Sequence, residues 1–150
     1  SKVKENLIIS IGNNEIRKRI AQQINQEVFT VLLHPSAIID STVGIKTGTV
    51  IMAGSVINAS TQIGRHCIIN TSSSIDHDCI INDFVHIAPN ATLCGNVIIG
   101  ERSHIGAGSV IIQGVSVGKN VTIGAGSVVL KDVPDNSTVV GNPGVIIKEK

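Results

Sequence analysis

The triplet Asp76-His77-Asp78 places three side chains capable of acid–base chemistry side by side in this 150-residue sequence. An imidazole with a pKa of about 6.5 can take up a proton at neutral pH. A neighbouring carboxylate can fix its tautomer and stabilise the imidazolium that forms. Such a pair suits the removal of a proton from an amine or hydroxyl that attacks an acyl group. A merely solvated corner with three charges is the alternative that spacing alone leaves open.

The sequence around this triplet repeats with a period of six residues. Every sixth residue from position 39 to position 129 is a branched aliphatic residue, and the residue two positions earlier is small. The large positions are Ile39, Ile45, Ile51, Ile57, Ile63, Ile69, Ile75, Ile81, Ile87, Leu93, Ile99, Ile105, Ile111, Val117, Ile123 and Val129. The small positions are Ala37, Val43, Thr49, Ser55, Thr61, Cys67, Ser73, Cys79, Val85, Ala91, Val97, Ser103, Ser109, Val115, Val121 and Ser127.

This period predicts a triangular solenoid over residues 37–132. Residues two apart on a strand point to the same side, so each hexad turns one large and one small residue inward. Three short strands and three bends close a coil of 18 residues, and stacked coils lie about 4.8 Å apart. His77, two residues after the inward Ile75, falls at a corner. We expect the residue after a large position to make the bend, because glycine and asparagine tolerate positive φ. These residues are Gly64, Asn70, Asn82, Gly100, Gly106, Gly118 and Gly124.

The composition fits thin, regular layers better than a core filled by aromatic rings. The chain is 42% hydrophobic but has two Phe, no Trp and no Tyr, and its net charge of +1 argues against nucleic-acid binding. It has no apolar run of about 18 residues and no signal-peptide pattern. Three cysteines without CxxC spacing predict a reducing, cytoplasmic setting and no metal site. Two of them, Cys67 and Cys79, occupy the small inward position, where packing explains them.

The two ends of the chain break the period. Residues 1–35 predict a partial α/β segment, with strands at 7–11 and 28–33 around a helix at 15–26. Residues 133–150 predict a capping tail with Pro and Gly turns and a short closing strand. An apolar stripe on the helix is formed by Ile16, Ile20 and Ile24.

Several motifs together resemble the hexapeptide-repeat acyltransferases, and within them the sialic acid O-acetyltransferase and bacillosamine N-acetyltransferase group. These are IGNNEIRKRI, HPSAII, NTSSSIDHDC, FVHIAPNATLCGNV and the closing VVGNPGVII. The resemblance implies an all-β fold, a left-handed parallel β-helix, with acetyl-CoA as co-substrate and no metal. The left-handedness comes from the resemblance, since the general preference is for right-handed crossovers.

The resemblance also implies roles for individual residues. His77 and Asp78 match the family's catalytic His-acid pair, with His77 as general base. Asn70 and His86 match residues near the acceptor. Contacts with acetyl-CoA are expected from His86, Gly95, Ala107 and Ala125. Gly95 lies 18 residues after His77, and the two alanines stand in identical IGAGS pentads one coil apart.

The expected activity is transfer of acetyl from acetyl-CoA to the 4-amino group of a nucleotide-linked amino-deoxy sugar in surface glycan biosynthesis. An alternative is O-acetylation of sialic acid or another hydroxyl. The group's glycine-rich nucleotide-binding turn is not found before Leu7, so either the chain is a fragment or acceptor binding is reduced. A zinc enzyme of the γ-carbonic-anhydrase type is disfavoured, because no two histidines are closer than nine residues. A non-catalytic solenoid scaffold is disfavoured by the Asp-His-Asp triplet.

Outward strand positions that should be polar are aliphatic on all three sides of the predicted solenoid. Exposed strips of this kind indicate burial against neighbours. We therefore expect a homotrimer with acetyl-CoA in the groove between adjacent copies, and no membrane insertion. The positions concerned are Ile38, Val56, Val110 and Val128, then Ile80 and Ile98, and then Val50 and Ile68.

Overall fold

The computed structural model describes residues 6–149. Its strands are mostly two residues long, as a six-residue period with tight bends requires. In chain order the elements are α1 (Asn14–Ala21), a 3₁₀ turn (Gln26–Val28), β1 (Leu32–Leu33), β2 (Ile38–Ile39), β3 (Gly44–Ile45), β4 (Val50–Ile51), β5 (Val56–Ile57), β6 (Gln62–Ile63), β7 (Ile68–Ile69), β8 (Ser74–Ile75), β9 (Ile80–Ile81), β10 (His86–Ile87), β11 (Thr92–Leu93), β12 (Ile98–Ile99), β13 (His104–Ile105), β14 (Val110–Ile111), β15 (Ser116–Val117), β16 (Thr122–Ile123), β17 (Val128–Val129), β18 (Ser137–Val140) and β19 (Val145–Glu149).

Three sheets form the sides of a left-handed parallel β-helix, which confirms the predicted fold class. The first sheet runs β1-β4-β7-β10-β13-β16-β18-β19, the second β2-β5-β8-β11-β14-β17, and the third β3-β6-β9-β12-β15. Neighbouring strands of the solenoid are parallel and 18 residues apart, so that Ile75 pairs with Leu93 and His86 with His104. A residue at a corner therefore lies directly below the residue 18 positions later.

The predicted inward columns form the core from the third large residue onward. Large positions from Ile51 to Val129 are at most 2% exposed, and small positions from Thr49 to Ser127 are at most 5% exposed. The four earliest inward residues are only partly buried, because little of the solenoid lies below them. They are Ala37, Ile39, Val43 and Ile45.

Buried hydroxyls and thiols in the small column are donors as well as packing groups. Thr61 Oγ1 donates to the carbonyl of Asp76 at 2.8 Å, and Cys79 Sγ to that of Cys94 at 3.2 Å. Thr49 and Ser103 bond corner carbonyls in the same way. Each pairing satisfies a carbonyl that the tight bend leaves without a ladder partner. The small inward residues thus hold the corners in place.

The bends do not lie where the sequence predicted them. Positive φ occurs two residues later, at every sixth residue from Gly48 to Gly126, and it includes Asp78 at 57°. Glycine occurs directly after a large residue for another reason: neighbouring coils approach each other closely at that position. A Cβ at Gly106 would come 2.6 Å from the nitrogen of Ala125 in the coil above. Those positions need glycine because they lack space, not because of their φ.

The N-terminal segment contains less regular structure than predicted. The helix α1 ends at Ala21, and the predicted strand at 7–11 is reduced to one bridge between Leu7 and Phe29. Ile16 is 38% exposed, so the expected apolar stripe is not the buried face. The helix instead buries Arg17 and Ala21. The predicted stripe is therefore wrong in part, although Ile20 and Ile24 do pack against the small second core.

Arg17 attaches this segment to the solenoid. Its side chain is 1% exposed. The guanidinium donates to the carbonyls of His66 at 2.8 Å and Phe84 at 3.0 Å, both on the solenoid. It also donates to the carbonyls of Ile11 and Gly12, in the loop that precedes α1. One buried cation thus joins the loop, the helix and two coils.

The tail extends the first sheet beyond the last full coil. β18 pairs parallel to β16, and β19 folds back antiparallel to β18. The closing strand that the sequence predicted is therefore present as β19. Within residues 6–149, no helix has the length and apolarity needed to cross a bilayer.

Candidate active site

His77 lies at the corner between the second and third sheets, in the bend of residues 76–78 that joins β8 to β9; we call these residues the His77 corner. Hydrogen bonds to the coils on either side fix its main chain. Asp76 N–H donates to the carbonyl of Leu93 above, and Asp78 N–H to that of Ala59 below, both at 2.9 Å. The carbonyl of His77 accepts from Asn96 N–H at 2.9 Å. A rigid scaffold therefore presents an exposed imidazole.

The structure selects Asp78 as the carboxylate that contacts the His77 ring. His77 Nδ1 and Asp78 Oδ2 are 2.8 Å apart, and both side chains are 52% exposed. An ionised carboxylate only accepts hydrogen bonds, so Nδ1 carries the proton and Nε2 keeps its lone pair. That lone pair is what a general base requires.

The electrostatics of the corner favour proton uptake by His77. The hydrogen bond to Asp78 raises the pKa of His77, and the nearby charge of Asp76 raises it further against a smaller opposing effect of burial. Asp76 has a lowered pKa because it accepts hydrogen bonds from Asn58 and from the His77 main chain. The corner can therefore stabilise an imidazolium that forms during a reaction.

Gly95 lies directly above the ring of His77. A Cβ placed at Gly95 would come 2.7 Å from both Cε1 and Nε2 of His77, so only glycine leaves room for the imidazole in this position. Within residues 6–149, the Gly95 N–H donates to no main-chain or side-chain acceptor, while its neighbours Cys94 and Asn96 do. Gly95 therefore sets the ring position, and its N–H is free within the described residues.

We expect the substitution Gly95→Ala to reduce the acetyl transfer that the family resemblance implies roughly 10-fold or more, because the methyl group must displace the ring that carries the expected base. Transfer would be measured as thiol release, and stability as the midpoint of thermal unfolding. The N–H of residue 95 is retained, so a loss of rate at an unchanged unfolding midpoint isolates the position of the ring. Full activity in a folded variant would contradict this role of Gly95.

Asn70 and His86 meet at a different corner, between the first and second sheets. Asn70 Nδ2 lies 3.1 Å from His86 Nε2, and Asn70 Oδ1 accepts from the N–H of Thr71. The amide orientation makes Asn70 the donor, so Nε2 of His86 accepts and its proton lies on Nδ1. The ring of His104 lies above that of His86 in an edge-to-face contact, with centroids 4.8 Å apart. The two rings are therefore in contact one coil apart.

His86 is neutral at physiological pH. Burial, and to a smaller extent the charge of the neighbouring His104, lower the pKa of His86 to about 4, against an opposing effect of the Gly12 carbonyl. A histidine of this kind is a poor base but can orient a polar ligand. Its environment therefore differs from that of His77, whose pKa is raised.

Ala107 and Ala125 continue the corner of Asn70 upward. Both are exposed, and in the described part of the chain their N–H groups donate to no main-chain acceptor. A free N–H at this bend position recurs around the solenoid, but at these two residues no long side chain covers it. Together with Asn70 and His86 they form what we call the Asn70 corner.

A single chain does not bring all the predicted residues together. The His77 corner and the Asn70 corner lie at opposite ends of β8, on two edges of the second sheet. Two recesses, of about 340 Å³ beside β19 and about 320 Å³ beside α1, contain none of the predicted residues. The candidate site is thus an open corner in one chain rather than an enclosed pocket.

The sequence did not indicate that Asn58 and Thr61 support the His77 corner. Thr61 belongs to the small inward column, and no pattern in the sequence distinguishes Asn58 from other corner residues. Among the residues described, no three His, Cys, Asp or Glu side chains are grouped to hold a metal ion.

The chain matches the family model described as bacterial transferase hexapeptide (six repeats) over residues 78–113 and 96–131. It is 44% identical over 48 residues to UDP-N-acetylbacillosamine N-acetyltransferase of Bacillus subtilis (strain 168). That stretch covers 31% of this chain and only 22% of the relative.

Solved structures match over almost the whole chain. The acetyltransferase domain of PglB from Neisseria gonorrhoeae FA1090 is 41% identical, with a TM-score of 0.92, and the match covers 95% of this chain and 70% of that one. The same domain has been solved with acetyl coenzyme A. PerB from Caulobacter crescentus, solved with CoA and GDP-perosamine, is 36% identical with a TM-score of 0.92, covering 96% and 70%. The chain belongs to the family of hexapeptide-repeat acetyltransferases.

Proposed function

We propose that this chain transfers acetyl from acetyl-CoA to the 4-amino group of a nucleotide-linked amino-deoxy sugar, in the biosynthesis of a surface glycan. The observation that carries the proposal is the His77–Asp78 pair, with 2.8 Å between Nδ1 and Oδ2, at an exposed corner beside Gly95. The relatives solved with acetyl coenzyme A, and with CoA and GDP-perosamine, support the donor and the class of acceptor.

In the proposed reaction, Nε2 of His77 takes the proton from the acceptor amine as its nitrogen attacks the thioester carbon. Asp78 holds the ring in the required tautomer and stabilises the imidazolium. The tetrahedral intermediate collapses, CoA leaves as a thiolate and the amide remains. The free N–H of Gly95 is the proposed donor to the oxyanion, a contribution that stabilises charge only as it develops.

The separation of the two corners supports a homotrimer as the working form. A base on one corner and ligand-binding groups on the other can act on one acetyl group only if two copies place them together. Ile38, Ile80 and Ile98 are 67%, 45% and 39% exposed on outward faces of the solenoid, so apolar surface is available for such contacts. We propose that acetyl-CoA lies between the His77 corner of one copy and the Asn70 corner of the next, with its arm along Ala107 and Ala125.

The assembly can be tested by sedimentation at micromolar concentration, where we expect a trimer. Mixed assemblies test the shared site: His77→Ala and His86→Ala copies, each weakly active alone, should regain activity when unfolded and refolded together. Each mixed assembly would contain interfaces in which both changed residues lie at the same site and others in which neither does. A monomer in sedimentation would contradict the shared site.

The charges at the His77 corner favour an amine over sialic acid as acceptor. Asp76 and Asp78 flank the base, and neither is paired with Lys or Arg in the structure described. A sugar amine is attracted to this corner in its protonated form, and it loses that proton to water before His77 takes the second proton during attack; the carboxylate of sialic acid is repelled. O-acetylation of an uncharged hydroxyl is served by the same dyad and is the second candidate.

A panel of acceptors tests the proposal directly. Thiol release from acetyl-CoA would be followed with nucleotide-linked 4-amino sugars, with sialic acid and with serine. We expect turnover with an amino-sugar nucleotide and little above background with the others. Turnover confined to sialic acid would replace the main proposal with its alternative. The cytoplasm, where acetyl-CoA would be available, is the proposed location, and the three free cysteines agree with a reducing compartment.

A further inference from the structure

Asp76 does not contact the imidazole of His77, yet its side chain is tightly held. One oxygen, Oδ1, accepts two hydrogen bonds: from Asn58 Nδ2 at 3.0 Å and from the main-chain N–H of His77 at 2.8 Å. Asn58 stands 18 residues earlier, directly below Asp76 in the same column of corners. The Asn58 amide in the coil below thus holds the Asp76 carboxylate in place, and the carboxylate holds the main chain of His77.

A second hydrogen bond holds the same residue from inside the solenoid. Thr61 Oγ1, buried at 0% exposure, donates to the carbonyl of Asp76 at 2.8 Å. Both polar ends of Asp76 are therefore fixed by the preceding coil. The Asp78 carboxylate, by comparison, bonds the ring itself. The two acidic residues have separate tasks.

The arrangement keeps a negative charge next to the imidazole without occupying either ring nitrogen. Two hydrogen bonds to Oδ1 favour the ionised form of Asp76 and lower its pKa. The other titratable groups near His77 are Asp78 beside it, Cys94 one coil above Asp76, and Cys79, which points inward. Asp78 is the one carboxylate among these three groups. Asp76 therefore supplies a second negative charge at the corner.

We propose that Asn58 and Asp76 are positioning residues for His77: the Asn58 amide holds the Asp76 carboxylate, which pins the main chain of His77 and keeps a negative charge beside its ring. This rests on the proposed function in so far as His77 is the base. In the reaction, the proton taken from the amine gives an imidazolium that faces carboxylates on both sides. Removal of Asp76 weakens the base and loosens its position, and removal of Asn58 releases Asp76.

Three variants separate charge from position. Asp76→Asn keeps an oxygen that accepts both hydrogen bonds but removes the charge, Asp76→Ala removes both, and Asn58→Ala removes only the clamp. Asp40→Asn is the matched control, because Asp40 stands in the same column two coils below Asp76 and its side chain accepts its hydrogen bonds from Thr42. Each variant would be examined by NMR titration of the His77 imidazole and by the pH dependence of kcat/KM for acetyl transfer.

Loss of the Asp76 charge should move the His77 titration and the acid limb of kcat/KM to lower pH, because a nearby negative charge favours the protonated ring. Asp76→Ala should in addition lower the high-pH plateau of kcat/KM by roughly 10-fold, since the ring is no longer held. Asn58→Ala should show a smaller shift in the same direction, and Asp40→Asn none.

The NMR titration does not depend on catalysis, so the two proposals can fail separately. If Asp76→Asn shifts the His77 titration while the wild-type protein transfers no acetyl group, the positioning role stands and the proposed function is wrong. Active wild-type protein with a titration unchanged by Asp76→Asn would overturn the electrostatic part. An Asn58→Ala variant with wild-type titration and kinetics would overturn the clamp. If Asp76→Ala or Asn58→Ala fails to fold, Asp76→Asn still tests the proposal, because its side-chain oxygen accepts the same two hydrogen bonds.

Discussion

Replacement of His77 by Ala is expected to lower kcat for acetyl transfer roughly 10²–10⁴-fold. Within the described His77 corner the ring carries the unprotonated nitrogen, and Gly95 lies directly above it. KM for the acceptor should change little, because a general base acts mainly in the transition state. Steady-state kinetics with a nucleotide-linked amino sugar would measure both constants.

The pH dependence gives a second test of the same assignment. The pKa of His77 is raised by Asp78 and then by Asp76, so the wild-type kcat/KM should fall below a midpoint that lies above 6.5. The sign follows from the protonation of the base, which occurs as the pH decreases. The step that His77 contributes to this limb should disappear in His77→Ala, which leaves only the ionisation of the acceptor amine. His34→Ala is the matched control, because His34 is an exposed histidine that bonds only Ser36 and should leave both profiles unchanged.

Replacement of Arg17 by Met is expected to have the largest effect on stability. The guanidinium satisfies carbonyls of Ile11, Gly12, His66 and Phe84 while 1% exposed. Burial lowers its pKa to about 10, so that it remains charged at neutral pH. Methionine fills much of the volume but leaves those acceptors unpaired, each at a cost of about 1–3 kcal/mol when water cannot replace the donor.

Water can reach some of these carbonyls after the change, so we expect a total loss of about 3 kcal/mol in the free energy of unfolding. Denaturant unfolding measures the loss, and hydrogen exchange locates it. Exchange should accelerate over residues 7–29 before it does in the solenoid, whose ladders are intact. Arg19→Met is the control, since Arg19 lies on the same helix but is exposed. Equal stability of the two variants would contradict the role of Arg17.

Much of the solenoid could be predicted because its period acts through one simple constraint. Each two-residue strand turns its large residue inward, and the small residue just before the strand also points inward. The two inward columns from Ile51 upward therefore follow from the spacing. The bend positions could not be read in the same way. Glycine serves both positive φ and close approach, and the sequence does not say which applies at Gly106.

The N-terminal segment shows a second limit of sequence analysis. Ile16, Ile20 and Ile24 predicted the buried face of the helix. Ile20 and Ile24 do pack against the small second core, but Ile16 is exposed, and carbonyls from two coils draw Arg17 inward. Those carbonyls come from residues 66 and 84, far along the chain, and carry no local signal. Buried cations of this kind are found only when the tertiary structure brings their acceptors together.

The candidate site was predictable as a set of residues but not as an arrangement. The triplet identified His77, and family resemblance named Asn70, His86, Gly95, Ala107 and Ala125, whose roles stay predictions. The sequence could not decide between Asp76 and Asp78 as the partner of the ring; the structure assigns that contact to Asp78. The sequence also could not show that these residues divide between two corners, because the folding of each coil into three sides decides which of them lie together.

We propose that the amine of a nucleotide-linked amino sugar becomes an amide as acetyl-CoA gives up its acetyl group. The most direct measurement is NMR of a 4-amino sugar nucleotide labelled with nitrogen-15 at the amine, incubated with the protein and acetyl-CoA. We predict a proton signal coupled to the labelled nitrogen, characteristic of an amide, which appears in step with free CoA and is nearly absent with His77→Ala. An unchanged amine while CoA accumulates, or an acetyl group found on a hydroxyl, would contradict the claim.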